Sequence, residues 1–534
     1  MTKFRTASLE YDSIEQFSRF DKGFQNRDDG LLQFVGQWPT LDNLISMLEA
    51  KNFDNQRRKT LVEVLSDQYR NLGHYNDHSS KIEKLRDDNT FTITTAHQPV
   101  LLGGPLYVPY KIASAIQLCR MVNERSSEKE VIPIFIVGGE DHDFDEINHC
   151  HLFGNRIEWQ HESGGPVGRF DLEGLQTAID EAIEILGNGD EVMDVKALLS
   201  ESFSQKDNYA QAYQDYIIRL FGKYGCLVLN MDEVRLKSGF MPLMKAEVES
   251  GISQPLVEKV QKKKEEAGYG AQTYVRQINL FYLDENVRSV ILKLDNGSFR
   301  VRDLDLEWDE KQLISKLEQH PENFSPNVVM RPIYQEFTLP NIAYIGGGGE
   351  LSYWSERQDQ FKAFDVDFPI LVRRKSVIHI ESFIYRRMVS LGLDIDELVI
   401  DKHEVIKKLV SQDTTLDDKL KDKSKDVLHH FSKLVELLED QAESLGKYAK
   451  SEERKLEKTL ENFQDKSFRE IKKEADVKVG KIEKVYDHIF PENGLQERYV
   501  NVLQLLNRHG RKYLDFLVSK LNPLETDVTV IIED

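Results

Sequence analysis

The sequence has few cysteines and no long apolar run. Its three cysteines, Cys119, Cys150 and Cys226, form neither a CxxC pair nor a disulfide framework. That pattern is typical of a reducing compartment, so we expect a cytoplasmic protein. The N-terminal residues lack the apolar segment of a secretory signal. The longest strongly apolar run, residues 131–137, is far shorter than the roughly 20 residues of a membrane helix, so we expect no membrane partner.

Basic residues are in the minority. The 534 residues include 70 Lys plus Arg against 91 Asp plus Glu, a net charge of −21. Because phosphate backbones reward basic surfaces, this balance argues against a nucleic-acid or anionic-membrane binder, although a local basic pocket remains compatible with it. Hydrophobic residues make up 40% and charged residues 30%, which is typical of a globular protein with a long polar helical part.

Short apolar segments alternate with helical patterns over the first part of the chain. A helix is predicted over Pro109–Val122, where apolar residues recur at helical spacing. Alternating strands and helices predict an α/β fold, a parallel sheet covered on both faces. The predicted strands are Phe91–Ala96, Ile132–Gly138, Cys226–Asp232, Val287–Leu294, Asn327–Met330, Ala343–Gly346 and Ile370–Arg373.

The chain divides into three predicted parts: a core over residues 1–388, a helical coiled-coil domain over 389–510, and a tail over 511–534 that returns to the core. Two polar segments, about 160–215 and 240–325, are predicted to be mostly helical insertions into the core. Val528–Ile532 is predicted to be a closing strand.

The coiled-coil prediction rests on one proline-free stretch, from about residue 390 to 490, that ends before Pro491. Apolar residues recur there at intervals of three and four, with two skips. So narrow an apolar stripe needs a partner, either a second helix of the same chain or a second subunit, and a homodimer is the default expectation. The seam residues are Leu438, Ala442, Leu445, Ala449, Leu456, Leu460, Phe463, Ile482, Val485 and Ile489.

The first segment with chemical potential runs from Thr94 to Lys111. His97 and Gln98 end a predicted strand, and Gly103 and Gly104 form a turn before a helix that includes Tyr107. Open α/β sheets bind ligands at the carboxyl ends of their strands, and glycines allow an anion to approach the backbone. A tight turn with a packed histidine is the structural alternative.

The second segment places an acidic cluster directly after an apolar strand. Its first members are Glu140, Asp141, His142 and Asp143. Such groups could bind a metal, act as general bases or hold a substrate ammonium. A solvated loop that caps the next helix is the alternative. Since no fourth zinc ligand is evident beside Cys150, no metal ligands are predicted.

The third segment, Phe324 to Trp354, contains four consecutive glycines between a strand and a helix. Carboxylate, arginine and glycine together predict a small-molecule clamp; a flexible turn with aromatic residues in the core is the alternative. The Arg373–Ser376 run after the last strand could neutralise phosphates, or be a basic surface run. The candidate clamp residues are Asn327, Arg331, Gln335, Gly346, Gly347, Gly348, Gly349, Glu350, Tyr353 and Trp354.

Together these segments resemble the bacterial BshC family, which is associated with cysteine ligation in bacillithiol synthesis. The segments that carry the resemblance are TTAHQPVLLGGPLY, GGEDHDFDEINH, RPIYQEFTLPNIAYIGGGGELSYW and the C-terminal PENGLQERYVNVLQLL. They occur in the family's order and span roughly residues 90–150, 324–380 and 490–510. No intact HIGH or KMSKS motif of the class I aminoacyl-tRNA synthetases is present.

The resemblance implies a Rossmann-type core similar to that of class I synthetases, with a coiled coil that joins two subunits. It implies that L-cysteine is added to glucosaminyl malate as an amide, with ATP and Mg²⁺ as candidate cofactors for activating the cysteine carboxylate. Asp141, His142, Asp143 and His97 are then the expected catalytic residues. Gln98, Gly103, Gly104, Tyr107, Glu140 and the clamp residues are expected to bind substrate. Arg373, Lys375 and Ser376 are expected to bind the cofactor.

Two other classes of function stay open at this stage. A metal-dependent hydrolase could use the Asp and His cluster around one or two ions. A non-catalytic interaction protein could use the coiled coil as its functional part.

Overall fold

The structure is a computed structural model that describes residues 4–162, 164–188, 190–284, 286–440 and 442–534. Its strands are β1 (Phe4–Glu10), β2 (Thr90–His97), β3 (Glu130–Val137), β4 (His149–Leu152), β5 (Asn155–Glu158), β6 (Leu227–Asn230), β7 (Leu280–Asp284), β8 (Val287–Lys293), β9 (Phe299–Val301), β10 (Leu306–Trp308), β11 (Phe324–Pro326), β12 (Asn341–Gly346), β13 (Ile370–Arg373), β14 (Val377–Ile380) and β15 (Asp527–Glu533).

Helices account for most of the remaining regular structure. They are α1 (Arg19–Gln25), α2 (Asp29–Val35), α3 (Leu41–Ala50), α4 (Asn55–Asn71), α5 (Tyr75–Lys84), α6 (Tyr107–Arg125), α7 (Phe144–Ile147), α8 (Leu175–Leu186), α9 (Asp190–Phe203), α10 (Tyr209–Phe221), α11 (Val234–Ser250), α12 (Ser253–Glu266), α13 (Glu310–Gln319), α14 (Arg331–Thr338), α15 (Gly348–Trp354), α16 (Gln358–Ala363), α17 (Ser382–Leu391), α18 (Lys402–Glu439), α19 (Glu443–Ile489), α20 (Val502–His509) and α21 (Lys512–Lys520).

A five-stranded parallel sheet forms the centre of the core, in the order β13–β12–β2–β3–β6. β3 is buried along almost its whole length, as its unbroken apolar sequence requires for a strand covered on both faces. Helix α6 packs on β2 and β3 with Ile112, Ile116 and Val122 fully or almost fully buried. The predicted Rossmann-type fold is confirmed.

The strand order places a topological switch beside β2. The chain builds outward from β2 through β3 to β6, then returns to the other side of β2 for β12 and β13. The connections after β2 and β12 therefore lead away from each other and leave a crevice at the carboxyl edge of the sheet. Open α/β sheets bind their ligands at such a point.

The predicted helical insertion over 240–325 is wrong in its second half. After α11 and α12, the chain forms an antiparallel sheet in the order β10–β9–β8–β7–β11. The predicted strand Val287–Leu294 corresponds to β8, but it belongs to this sheet. In β9 the middle residue is exposed between two buried ones, as in a strand with one solvated face, whereas β8 buries three consecutive residues, Ser289 to Ile291.

The predicted strand Asn327–Met330 is also wrong. The side chain of Asn327 accepts hydrogen bonds from the backbone N–H groups of Val329 and Met330, at 2.8 and 3.3 Å. This turn leads directly into α14. The observed strand in this region, β11, ends at Pro326, one residue before Asn327. Asparagine side chains stabilise turns in this way because they replace a backbone acceptor.

A smaller sheet joins the two ends of the chain, in the order β1–β15–β14. β15 is antiparallel to β1 and parallel to β14. The predicted closing strand Val528–Ile532 lies within β15. β1 was not predicted, and its edge position explains its mixed exposure.

The long polar stretch is a helical hairpin rather than one helix. Helices α18 and α19 pack against each other after a turn near Asp440, so the partner of the apolar stripe is a helix of the same chain. Ala449, Ile482, Val485 and Ile489 of the predicted seam are buried. Leu438, Leu445 and Phe463 are exposed, because a single partner helix covers only part of the apolar stripe.

Candidate active site

A cavity of about 480 Å³ lies at the carboxyl edge of the parallel sheet, at the switch between β2 and β12. The ends of β2, β3 and β12 contribute one wall, and the antiparallel sheet covers it with residues from β7, β8 and the segment after β11. The lining residues are Ala96, His97, Gln98, Tyr107, Lys111, Gly138, Glu140, Asp141, Arg276, Phe281, Arg288, Pro326, Asn327, Val328, Arg331, Tyr344, Gly347, Gly348, Gly349, Glu350, Tyr353, Arg374 and Arg498.

The cavity is electropositive although the chain carries a net charge of −21. Its lining contains six cationic side chains, from Lys111, Arg276, Arg288, Arg331, Arg374 and Arg498, and only three carboxylates, from Glu140, Asp141 and Glu350. A surplus of guanidinium groups in a partly enclosed space favours ligands with carboxylate or phosphate groups.

Several of these arginines make no hydrogen bond or ion pair with another described residue, although the Arg276 guanidinium lies over the Tyr274 ring, 5.0 Å from its centroid. Within the described residues, the guanidinium groups of Arg276, Arg331 and Arg498 make no hydrogen bond or ion pair, and the Nε of Arg288 is also unpaired. Arg374 differs, because it binds both carboxylate oxygens of Glu497, at 2.6 and 2.9 Å. Arg276, Arg331 and Arg498 are therefore the cations most available to an anionic ligand.

Asp141 sits at the end of β3 as an ionised carboxylate. Its Oδ1 accepts from the Arg288 Nη1 at 3.1 Å and its Oδ2 accepts from the Gln98 Nε2 at 2.7 Å. Burial opposes ionisation, but hydrogen bonds from His142 and Gln98 and the charge of Arg288 outweigh it and hold the pKa of Asp141 well below its usual range. An anion with so low a pKa is a weak base and a good anchor for an ammonium group.

His97 and Tyr107 form a hydrogen-bonded pair on the opposite wall. The His97 Nδ1 lies 3.0 Å from the Gln98 carbonyl oxygen, which assigns its hydrogen to Nδ1. The Nε2 then accepts from the Tyr107 hydroxyl at 3.0 Å. Burial and the nearby Lys111 charge lower the pKa of His97 to about 4, so the imidazole is neutral near pH 7.

Buried Lys111 and partly buried Glu350 form an ion pair at the base of the cavity, with 2.6 Å between Nζ and Oε2. Lys111 also donates to the Ala96 carbonyl at 2.9 Å. Glu350 accepts from the Gly347 N–H at 2.7 Å and from the Tyr344 hydroxyl at 3.1 Å. Burial would raise the pKa of Glu350, but Lys111 lowers it below its ordinary value. The pair thus ties α6 to the glycine loop.

The structure brings twelve of the predicted site residues to the cavity. They come from all three segments singled out in the sequence, which the sheet edge unites. These residues are His97, Gln98, Tyr107, Glu140, Asp141, Asn327, Arg331, Gly347, Gly348, Gly349, Glu350 and Tyr353.

His142 and Asp143 do not line the cavity. His142 is exposed at its rim, with Nδ1 2.8 Å from the Arg288 Nη1. Asp143 is exposed and caps the short helix α7 by accepting from the Glu146 N–H at 3.3 Å. The capping role considered as an alternative thus describes Asp143.

The predicted turn glycines, Gly103 and Gly104, are structural. Both adopt positive φ angles, of 86° and 71°. A Cβ atom on Gly103 would lie 2.6 Å from the Tyr216 ring, and one on Gly104 would lie 2.9 Å from the Cβ of Val100. They permit a sharp turn against the core and do not approach the cavity.

Gln335, Gly346 and Trp354 also lie behind the cavity wall. Gln335 is buried and donates to the Thr94 hydroxyl at 3.1 Å. The Trp354 ring stacks on Tyr344 with 4.1 Å between ring centroids. These residues support the cavity wall from the core side.

The basic run after β13 is largely committed to internal ion pairs. Arg373 is buried against Asp21, with 2.8 Å between Nε and Oδ1. Lys375 pairs with Asp527, and Ser376 donates to Glu497 at 3.1 Å. The three predicted cofactor residues therefore point away from the cavity, and Arg374, between them, lines it.

Sequence reasoning missed most of the cavity's cations. Arg276 lies in the segment predicted to be a helical insertion and Arg288 in the predicted strand Val287–Leu294, and neither was predicted to belong to a site. Lys111 and Arg498 lie within segments that carry the motifs but were not predicted as site residues. Arg374 lies within the basic run Arg373–Ser376, but it was not one of the residues predicted from that run. Alternation along the extended chain was the available signal, because neighbouring residues there point to opposite sides.

The three cysteines are free and buried. Burial raises the pKa of Cys150 and of Cys226 to about 12, and it raises that of Cys119 well above its ordinary value. None lines the cavity, so none offers a thiolate for nucleophilic chemistry there.

Comparisons with known proteins agree with the motifs. A family model described as "Bacillithiol biosynthesis BshC, N-terminal Rossmann-like domain" matches residues 6–375, and one described as "Bacillithiol biosynthesis BshC, C-terminal coiled-coil domain" matches residues 377–533. In the described residues, no helix has both the length and the apolar character needed to cross a membrane.

Curated relatives named "Putative cysteine ligase BshC" align over most of the chain. The protein of Flavobacterium johnsoniae is 33% identical, covering 98% of this chain and 99% of its own. That of Christiangramia forsetii is 31% identical with the same coverage. That of Bacillus cytotoxicus is 28% identical and covers 86% of this chain and 87% of its own.

Proposed function

The chain belongs to the BshC family of bacillithiol biosynthesis, and we propose that its cavity joins L-cysteine to glucosaminyl malate through an amide bond. The observation that carries the proposal is the pairing of unpartnered arginines with an ionised aspartate in one cavity. The malate carboxylates of the sugar substrate would bind to the arginines, and the ammonium group of cysteine would bind to the aspartate.

The malate carboxylates fit the cationic side of the cavity. Among the described residues, Arg331 has a guanidinium group without a hydrogen bond or ion pair, and Arg288 has a free Nε. Guanidinium–carboxylate hydrogen bonds are strong and directional, so two or three such contacts would orient the dicarboxylate. Asp141, held between Gln98 and Arg288, would bind the cysteine ammonium on the other side.

Amide formation requires that the sugar amine lose a proton as its nitrogen bonds to the cysteine carboxyl carbon, while one carboxyl oxygen leaves together with the adenylyl or phosphoryl group that would have activated it. The Tyr107 hydroxyl and the His97 Nε2, 3.0 Å apart, offer a path for that proton. His97 is neutral and can accept it, while its Nδ1–H is held by the Gln98 carbonyl. Asp141 is the weaker base, because its pKa is held well below its usual range.

ATP with Mg²⁺ would supply the free energy for amide formation, and the cavity's residues fit its phosphates. Arg276 and Arg498 would hold those phosphates in place of the predicted Arg373, Lys375 and Ser376, whose side chains are engaged elsewhere, as is Arg374 with Glu497. A cytoplasmic location is part of the proposal, since three free, buried cysteines suit a reducing compartment.

The metal-dependent hydrolase alternative is less well supported. Arg288 lies 3.1 Å from Asp141 and 2.8 Å from the His142 Nδ1, where a catalytic cation would be needed. Two like charges in that space would repel each other. The hydrolase alternative would also leave the unpartnered arginines without a function.

A homodimer formed through the coiled coil is the second part of the proposal. The end of the hairpin near Asp440 exposes a group of large apolar side chains although α18 and α19 already cover each other. The exposed side chains are Leu434, Leu437, Leu438, Leu445 and Tyr448, at 55, 65, 39, 44 and 63% of their full accessible surface. An exposed apolar group of this kind marks an interaction site, and a second hairpin offers a matching surface.

The test of the ligase proposal is a mass-spectrometric assay on the purified full-length protein. It would contain glucosaminyl malate and L-cysteine, with and without ATP and Mg²⁺. We expect product from the wild type, and its loss in Asp141→Asn and His97→Ala. Asp145→Asn, an exposed carboxylate of the same loop, is the matched control and should retain activity. Absence of product under every condition, with the protein folded, would contradict the proposal.

A further inference from the structure

Two histidines and a glutamate meet in the C-terminal part of the molecule, outside the cavity. His379 comes from β14, His509 from the last residue of α20, and Glu533 from the penultimate position of the chain, in β15. They are 1, 7 and 2% exposed. Among the described residues, one potential ligand atom from each lies within 4.8 Å of the other two.

The ligand atoms converge on one point. The Glu533 Oε1 lies 2.9 Å from the His379 Nε2 and 2.6 Å from the His509 Nε2. The other oxygen, Oε2, accepts from the Ser382 N–H at 3.1 Å and lies 3.7 Å from the Arg508 Nη1. Because the Ser382 N–H and Arg508 hold Oε2 on one side, Oε1 faces the two ring nitrogens on the other.

The surroundings resemble those of a metal site. The Nδ1 of His379 lies 3.5 Å from the Tyr513 hydroxyl, which lies 3.2 Å from the Tyr110 hydroxyl of α6. Ligating histidines usually donate their second ring N–H to such a partner, and the contact fixes the ring orientation. The Phe4 ring covers the cluster, with its centroid 5.1 Å from that of His509.

We propose that His379, His509 and Glu533 bind a divalent transition metal, with zinc as the best match, and that this metal fastens the end of the chain to β14 and α20. Two imidazoles and one carboxylate are a zinc donor set, whereas Mg²⁺ and Ca²⁺ prefer oxygen ligands. Metal–ligand distances of about 2.0–2.2 Å in a tetrahedral site place neighbouring ligand atoms about 3.3–3.6 Å apart, so the cluster would have to open by roughly 0.5–1 Å to admit the ion.

The experiment measures metal directly on the full-length protein. The protein is purified without a histidine tag, stripped with a chelator, incubated with ZnCl₂, freed of unbound metal and analysed for metal content. We expect one zinc per chain in the wild type, and a higher melting temperature in the presence of zinc, because the metal binds the native state. Glu533→Gln keeps a hydrogen-bonding side chain of the same size and should lose both effects. His429→Ala, an exposed histidine of α18, is the matched control and should retain both.

Cobalt gives a readout that does not depend on any variant folding. Wild-type protein loaded with Co²⁺ should show the visible absorption of a four-coordinate nitrogen and oxygen site, and added zinc should abolish it. His509→Gln is a second variant that should also lose that absorption, and it replaces Glu533→Gln in the test if Glu533→Gln does not fold. Wild-type protein without bound zinc and without the cobalt spectrum would overturn the proposal. Equal zinc content in the wild type and both variants would also overturn it, because binding would then lie elsewhere.

Discussion

The Arg288 Nη1 lies 3.1 Å from the Asp141 Oδ1, although 147 positions separate the two residues. Arg288 belongs to the antiparallel sheet and Asp141 to the end of a central parallel strand. The contact therefore has two effects: it closes the cavity, and the charge of Arg288 helps to lower the pKa of Asp141. It follows that the antiparallel insertion is part of the site.

Removing the Asp141 charge should strongly reduce ligase activity without unfolding the protein. In Asp141→Asn the single amide oxygen can accept from only one of Arg288 and Gln98, and the side chain offers no charge to a substrate ammonium. We expect kcat/KM to fall by about a hundredfold, of the order seen when one strong electrostatic contact is lost. Steady-state kinetics measure the fall, and circular dichroism checks the fold. A variant with wild-type kcat/KM would show that Asp141 does not contact substrate.

The unpartnered Arg331 should affect substrate binding more than stability. Losing a hydrogen bond to a charged group costs about 1.5–3 kcal/mol, so Arg331→Ala should raise the KM for glucosaminyl malate by about tenfold to a hundredfold. Arg331→Lys should recover only part of this, because an ammonium cannot form the bidentate contact. Arg454→Ala on the exposed hairpin is the control for lost positive charge. An unchanged KM for Arg331→Ala would contradict the proposed malate contact.

His97 should destabilise the protein in acid. Its pKa is lowered to about 4 in the folded chain from an ordinary value of 6.5, so the unfolded chain binds the extra proton first. Its stabilising contribution is fully present above about pH 6.5 and is lost as the pH falls from there towards 4. His97→Asn, which does not titrate, should show a shallower loss over that range. Urea unfolding midpoints of both proteins between pH 4 and 7 test this; identical slopes would contradict it.

The ion pair of Lys111 and Glu350 should be sensitive to the loss of one partner. Lys111→Met leaves the partly buried carboxylate of Glu350 without its cation, and such a change costs about 3–5 kcal/mol for a fully buried pair and less here, where Glu350 meets the cavity. The double variant Lys111→Met with Glu350→Gln should recover much of that loss, because no uncompensated charge remains. Chemical denaturation of the wild type, the two single variants and the double variant forms the cycle. Strictly additive effects would show that the two side chains do not interact.

The exposed end of the hairpin should determine the oligomeric state. Leu437→Lys places a charge among the apolar side chains near the turn and should convert a dimer into a monomer. Lys447→Leu, a change of similar size at an exposed site beside the patch, is the matched control and should leave the dimer intact. Light scattering coupled to size exclusion measures the mass. A wild-type monomer at micromolar concentration would contradict the dimer proposal.

Much of the core was predictable because its signals are local. The unbroken apolar run of β3 and the helical spacing of α6 each reflect the surface that the segment must bury, and both elements are where they were predicted. The end of β3 and the glycine loop after β12 were also placed at the carboxyl edge of the sheet, which is a property of parallel strands.

The hairpin and the antiparallel insertion were not predictable in the same way. The apolar stripe of α18 and α19 shows that a partner helix exists. A partner from the same chain and one from a second subunit would require the same spacing of apolar residues, so the spacing does not distinguish them. The short strands β9 and β10 have three residues each, too few for a period to be recognised among polar neighbours.

By itself, then, the sequence determined the parallel core, the family and the residues at the ends of the core strands, since these depend on local periodicity and on contiguous motifs. The tertiary structure alone decided which charges face the cavity. It turned Arg374 inward and Arg373 towards Asp21, and it brought Arg288 to Asp141 and Glu533 to two distant histidines. Such pairings depend on how distant segments fold back on each other, and spacing along the chain carries no record of that distance.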